Sequence, residues 1–483
     1  MKMSNVRHLL NPSNDMNQKW NRRLTISILI SFQCILFAQK ETTTLRLNEF
    51  IQNIESFHPL AKQANLKLKL GDAQTLKAKG GFDPILQSDW SEKNFDQKLY
   101  YRQFHTKLRI PTPLGLDIVS GYENYQGIYL NPESTVKPNG LWHLGLEIDV
   151  FQGLIVNERK TTLKIAGEFK KLVRNEQVQQ INELLINAIA AYLQWQMYFH
   201  VDSVLNENFN LSKIYHDNTV QSFLAGEKTA IDTLEAHILM QDASFTLQKN
   251  YMDLIKSRYN VENYLWYDNN PISMLTSTQP ESYTYSSLVK TVEKNRFAKS
   301  LDENPSIQAY LSKLNIAEIE QRLKIEKLKP KLKLKYNPLL YNTEKGILPS
   351  YSIDNMAFGA VFSMPLFLRS ERAEVQQSKI KIQEIKLDID NKRNELSNKI
   401  SNSEMQMELI SSQVTLLNNN IINYKKLLDA ENEKFNFGES SVFLLNKRQE
   451  KFISTKLKLI ETLYKQQTES LNYLFFTNQI GSK

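Results

Sequence analysis

The chain has 483 residues, is 41% hydrophobic, holds only 15 glycines and 14 prolines, and carries a formal net charge of +8. So few chain breakers suit long helices better than a loop-rich enzyme. The length admits two or three ordinary domains unless a repeat makes one body of it. Residues 1–38 contain five of the Lys/Arg and one Asp, so the remainder carries +4, and the balance offers no case for a nucleic-acid partner.

Lys19, Arg22 and Arg23 precede an apolar run from Leu24 to Phe37, and Ala38 before Gln39 is a plausible cleavage point with Leu36 three positions back. This pattern is an export signal over residues 1–38. A run of about 14 residues is too short to span a bilayer as a helix. Met1, Met3 and Met16 are all possible starts, and Met16 gives a leader of ordinary length. Cys34 is the one cysteine and lies in the leader, so the mature chain has no disulfide, thiol nucleophile or thiolate metal site. Gln33 is not the small residue that a lipoprotein signal places before its cysteine.

Past the leader, a shift of 246 residues maps Pro59 onto Pro305 and Pro84 onto Pro330. Leu60 to Lys79 is helical in type, with Pro59 suited to a first turn and Gly80-Gly81 ending it. From Pro84 to Phe151 the pattern turns to period two, with candidate strands at Pro84–Trp90, Leu99–Ile110, Leu116–Tyr125 and Leu141–Val150. In the last of these Glu147 and Asp149 alternate with Leu146 and Ile148. A long helical pattern then keeps Val178, Ile181, Leu185, Ala188, Tyr192, Trp195 and Phe199 at 3/4 spacing, which is a coiled-coil seam. It breaks at Phe223-Leu224-Ala225-Gly226-Glu227 and returns to about Tyr267.

The second half repeats this order. A linker over 271–303, with one short helix expected around Ser287 to Phe297, leads to a helix over Ser306 to Leu328. Lys331, Lys333 and Lys335 then alternate with Leu332, Leu334 and Tyr336, and Ala357 to Phe367 is the partner strand. Charged or small residues on one face and apolar ones on the other fit a membrane barrel strand, although an amphipathic sheet over a soluble core fits too. Leu396, Ile400, Met407, Ile410, Val414, Leu417, Ile421, Tyr424 and Leu428 form a second seam, broken by Ser403, and Phe435-Asn436-Phe437-Gly438-Glu439 ends it. Each descending arm reaches roughly 105–115 Å at about 1.5 Å per residue. The expected division is a first repeat over 39–270, the linker over 271–303 and a second repeat over 304–483. To cover the arms, the return helix is expected to be continued by Ser306–Leu328, and the C-terminal helix by Leu60–Lys79.

The duplicated unit, the Asn304-Pro305 start, the Pro330 strand entry, the Pro365-Leu366-Phe367 exit and the two Phe-x-x-Gly-Glu turns together resemble the TolC family of outer-membrane efflux proteins. The resemblance covers nearly all of the mature chain and rests on order and spacing rather than on one motif. It implies a mostly α fold with a membrane β-barrel, in which a homotrimer builds an α-barrel (coiled-coil) tunnel continuing that barrel. The implied protein is a passive conduit of a tripartite efflux or secretion system in the outer membrane, working with a periplasmic adaptor and an inner-membrane transporter. Gly226, Glu227, Gly438 and Glu439 then mark the adaptor-contacting tip. Asp232 and Glu235, six and nine positions after the first Gly, become candidates for the closed aperture, where the second repeat has Leu444 and Lys447. Lys331, Lys333, Lys335, Glu147 and Asp149 become candidates for the barrel lumen. The chain departs from the family in the stretch from Pro84 to Phe151, about thirty residues longer than Pro330 to Phe367. An added hairpin there preserves up-down parity, and whether it joins the barrel or folds as an outer loop is open.

Plain readings stand beside these: a solvated helix face for Asp232 and Glu235, and simple hairpin turns for the glycines. No histidine has zinc-ligand spacing, and no phosphate loop, nucleophile elbow or catalytic carboxylate pair is present, so neither enzyme activity nor a cofactor is expected. The rival class is a secreted structural coiled-coil or adaptor protein with soluble β caps.

Overall fold

The structure, a computed structural model, describes residues 43–136, 139–282, 301–341 and 350–480. The expected leader and the short helix expected around 287–297 lie outside the described residues.

The first helices are α1 (Leu47–Phe57) and α2 (Pro59–Lys79), separated by His58. His58 caps α2 by accepting from the Leu60 N–H at 3.2 Å, with Pro59 supplying a preset φ at the first helical position. The second repeat uses Asn304 in the same way for α5 (Pro305–Glu326), accepting from Ser306 N–H at 3.0 Å. The remaining helices are α3 (Glu158–Leu224), α4 (Ala230–Glu262), α6 (Arg369–Asn436) and α7 (Val442–Phe476). With 67 and 68 residues, α3 and α6 are each about 100 Å long at the usual rise of about 1.5 Å per residue.

A heptad repeat explains how helices of this length stay packed. Along α6 the residues Ile382, Ile389, Leu396, Ser403 and Ile410 are buried and recur every seven positions, the spacing that keeps a supercoiled seam facing its partner. In α3 the buried set Leu205, Ser212 and Thr219 keeps the same interval near the far end. Halfway along α3, Tyr192 and Trp195 anchor the largest core cluster with Phe50 and Ile54 of α1. The Tyr192 hydroxyl donates to the Leu45 carbonyl at 2.7 Å and accepts from Glu281 N–H at 2.9 Å, which pins the start of the linker to the helix.

The helices pair differently from the expectation. α3 packs on α2, α4, α5 and α7, whereas α6 packs on α5 and α7. The end of α4 meets the start of α2: the His58 ring lies 5.8 Å from that of Tyr264, and Lys62 donates to Asn269 at 2.7 Å. The end of α7 meets the start of α5, where the Asn304 amide donates to the Phe476 carbonyl at 2.9 Å. Each repeat therefore closes on its own first helix rather than on the other repeat's. The lengths alone are satisfied by either pairing, whereas the N-cap side chains reach back to the helix end beneath them and select one. The result is four helical columns in the order α4/α2, α3, α7/α5, α6.

Six strands form one antiparallel meander: β1 (Ile85–Phe95), β2 (Lys98–Pro111), β3 (Leu116–Gln126), β4 (Leu141–Asp149), β5 (Lys331–Tyr341) and β6 (Ser350–Ser363), in the order β6-β5-β4-β3-β2-β1. The β1–β2 connection is a two-residue turn at Asp96 and Gln97, both with positive φ, which suits the twist of the flanking strands. The extra residues of the first repeat therefore add a hairpin to the sheet and do not fold as an outer loop.

Candidate functional site

The sheet has two chemically distinct faces, fixed by register. On one, Ile148 stands opposite Leu334, Leu146 opposite Tyr336, and Phe358, Ala360 and Phe362 opposite Tyr336, Leu334 and Leu332. The face continues through Ile118 opposite Ile110 and Leu86 opposite Leu108. Leu86, Trp90, Leu144, Phe358 and Phe362 are all more than half exposed, and no layer of the described residues covers them. At one level an aromatic row crosses four strands: Trp90 is opposite Phe104, whose ring is 6.4 Å from Tyr122, which is 4.8 Å from Trp142. Where strands and helices join, Leu114, Ile155, Leu366 and Phe367 are exposed again. An apolar band between two aromatic or bulky rims fits the lipid-facing pattern of membrane barrel strands.

The opposite face carries the charges. Glu147 is opposite Lys335 and Asp149 opposite Lys333, with a Lys333 to Asp149 separation of 3.9 Å. Lys331 stands opposite Ser363 on this same face. The buried Glu147 accepts from Lys107 at 2.8 Å, a partner from the alternating stretch of β2 that is not among the lumen candidates. His105 and His143 flank Glu123 at 3.7 and 4.0 Å. The five lumen candidates thus lie together, joined by charges from the added hairpin.

Beneath this face the long helix is tied to the sheet. Asn157 caps α3 by accepting from Lys160 N–H at 2.8 Å, and Arg159 in the first turn donates twice to Asp117 of β3, at 2.7 and 3.2 Å. No spacing rule marks this pair, whose members are separated by a turn and two strands.

At the far end the two turns have the same geometry. Gly226 has φ +81° and Gly438 has φ +78°, and a Cβ at either would meet open space. Glu227 N–H bonds to the Ser222 carbonyl and Gly226 N–H to Phe223; Glu439 N–H bonds to Lys434 and Gly438 N–H to Phe435, all at 2.9–3.0 Å. These are Schellman caps, in which glycine supplies the left-handed residue at no steric cost. Lys228 sits over the Phe435 ring at 4.8 Å, so the two tips lie side by side.

Asp232 has a local task. Its carboxylate accepts from Thr229 N–H at 2.9 Å and from the Thr229 hydroxyl at 2.8 Å, while Asp232 N–H donates back to that hydroxyl, a capping box that starts α4. The hydrogen bond from the Thr229 backbone is the main reason that its pKa lies below the ordinary aspartate value. Ser441 caps α7 in the second repeat, but Leu444 stands where the box needs an acid. Glu235 is half-exposed one turn further on. The Thr229-x-x-Asp232 spacing is the sequence signal for this cap.

No family model matches the chain, and no curated protein matches its sequence. Solved structures do match over most of its length. The CmeC outer membrane channel of Campylobacter jejuni aligns with a TM-score of 0.61 at 13% identity, covering 90% of this chain and 86% of that one. The open-state MtrE outer membrane channel of Neisseria gonorrhoeae aligns with 0.62 at 13%, covering 90% and 89%. The outer membrane protein VceC of Vibrio cholerae aligns with 0.63 at 11%, covering 89% and 96%. Among the described residues no helix is long and apolar enough to cross a membrane, and the band that fits lipid is made of strands. The chain has the fold of the TolC-type outer-membrane channels, a helical tunnel segment continuing a β-barrel segment.

Proposed function

We propose that three copies of this chain form a passive channel through the outer membrane, extended across the periplasm by the helices. The observation that carries this reading is an uncovered apolar sheet face running directly into helices of about 100 Å. A soluble β cap would need a second layer over Phe358, Phe362, Leu144 and Trp90, and the described residues offer none. Both outer helical columns also expose apolar side chains: Leu387, Met405, Leu409 and Leu416 on α6, and Leu66, Leu70, Phe245 and Met252 on α2 and α4. A second copy set beside the first covers both stripes at once, and repetition closes a ring.

On this reading the Gly226–Glu227 and Gly438–Glu439 turns point into the periplasm and meet an adaptor, which couples the tube to an inner-membrane transporter. Asp232 and Glu235 lie just inside that end, where threefold repetition brings their charges together. Lys331, Lys333, Lys335, Glu147 and Asp149 line the water-filled barrel. Fractionation tests the placement: the protein should be recovered with outer membranes as a heat-modifiable trimer. Recovery as a soluble periplasmic monomer contradicts it.

A further inference from the structure

Among the described residues the sheet ends in two unpaired edges, β1 and β6. Inside a bilayer an open edge leaves backbone N–H and C=O groups without water or partners, so a sheet at that depth must close. β1 leaves α2 and runs away from the helices, whereas β6 runs back into α6. The two edges are therefore antiparallel when copies stand side by side. They also belong to the two outer helical columns, so a neighbour that covers the α6 face meets the β6 edge as well. We propose that β1 of one copy pairs with β6 of the next, so that three copies close a barrel of eighteen strands. A chain with one hairpin in each repeat would supply four strands and close twelve. This rests on the trimeric channel reading and adds to it the size of the bore.

Three observations support membership of the added hairpin in the wall. First, its outer face fits lipid: Leu86 is opposite Leu108, Trp90 extends the aromatic row, and the Ser88 and Thr106 hydroxyls bond to each other at 2.8 Å, leaving neither side chain unpaired in an apolar medium. Second, the charged pair of that face, Glu92 with Arg102 at 2.7 Å, stands beyond the aromatic row and away from the helices, where headgroups and water begin. Third, the widths agree. Four helical columns at about 8–10 Å span roughly 32–40 Å. Six strands spaced about 4.8 Å and tilted about 40° span roughly 37 Å, whereas four span only about 25 Å. With six strands the wall passes from sheet to helices at constant girth. Eighteen strands give a backbone diameter of about 36 Å against about 24 Å for twelve, as diameter grows nearly in proportion to strand number.

Cys34 is the chain's one cysteine and lies in the expected leader, so paired Cys substitutions made in a Cys34→Ser background report edge contacts directly. Leu86→Cys on β1 is combined in turn with Phe358→Cys, Ala360→Cys and Phe362→Cys on β6, covering the possible registers. Ser120→Cys on the same face of β3 replaces Leu86→Cys in a parallel set, because β3 is the strand that would meet β6 if the hairpin stood outside the wall. Leu70→Cys with Ile380→Cys, on the outer helical columns, reports the trimer itself. After oxidation in isolated outer membranes, the expected result is covalent dimers and trimers from the helix pair and from at least one Leu86 combination, with none from Ser120. Cross-linking through Ser120 overturns the eighteen-strand wall, as does a helix pair that links while every Leu86 combination fails. A helix pair that does not link overturns the channel reading, and the closure proposed on it falls with it.

Discussion

Arg159 in the first turn of α3 grips Asp117 of β3 through two hydrogen bonds of 2.7 and 3.2 Å, and this clamp ties the start of the long helix to the sheet. Asp117 is buried at 8% exposure, and both of its carboxylate oxygens accept from that one guanidinium. Asp117→Ala takes both side-chain hydrogen bonds from the half-buried Arg159 and leaves it only the more distant Asp149 charge. The expected loss is about 1.5–3 kcal/mol, the usual size of a hydrogen bond to a charged group. Lys170→Ala breaks a pair with Asp72 that is exposed on both sides, so about 0–1 kcal/mol is expected there. Thermal melting of the purified protein compares the two, and equal shifts contradict the clamp.

His58 links the α4/α2 column and titrates. Its Nδ1 accepts from Leu60 N–H while the ring meets the Asn263 backbone, a pattern only the neutral ring can complete. Burial pushes its pKa below the usual histidine value, outweighing the Asn263 bond that raises it. The unfolded chain then binds more protons than the folded one between the lowered value and about 6.5, so this stabilisation is full above about pH 6.5 and fades as pH falls through that window. Asn caps helices well and already does this job at position 304. His58→Asn should flatten the part of the melting temperature lost between pH 7.5 and 5.5; an unchanged slope assigns that loss to other groups.

How far the chain could be read from sequence is clear from these two sites. The strands and both long helices were legible because apolar residues recur at two, or at three and four, along many residues. Phe223 to Glu227 and Phe435 to Glu439 showed where the helices end, since glycine there permits a left-handed residue. Which short helix continues which was not legible, because it depends on His58 reaching Asn263 and Asn304 reaching Phe476, contacts far apart in sequence. Arg159 and Asp117 were missed for the same reason. The place of the added hairpin was undecided, since alternation gives the faces of a strand and not its neighbours.

Leu334 and Lys333 are adjacent on β5 and point to opposite faces. Leu334 stands between Ile148 and Ala360 on the apolar face, Lys333 near Asp149 on the charged one. An arginine on a lipid face at mid-bilayer costs about 2–4 kcal/mol. Leu334→Arg should therefore reduce assembled trimer far more than Lys333→Glu does. Equal trimer yields in outer-membrane fractions count against the assigned faces.

Asp232 holds a cap and a charge, and two substitutions separate them. Asp232→Ala removes both, and loss of a side-chain cap costs about 0.5–2 kcal/mol, read as faster hydrogen exchange in the first turn of α4. Asp232→Asn keeps an acceptor for Thr229 and removes the charge. If the acids at 232 and 235 form a ring at the aperture, Asp232→Asn with Glu235→Gln should raise conductance or weaken divalent-cation block, most clearly at low salt, where exposed charges are screened least. Unchanged conductance and block leave Asp232 with its capping role alone.

Electrical recording on the purified trimer reconstituted in a planar lipid bilayer tests most directly whether this chain is a channel. Discrete, uniform steps are expected, one for each inserted trimer, and they should be smaller or absent with Leu334→Arg protein. Preparations that retain the trimer and its β-sheet signal yet carry no current at any voltage would contradict the account.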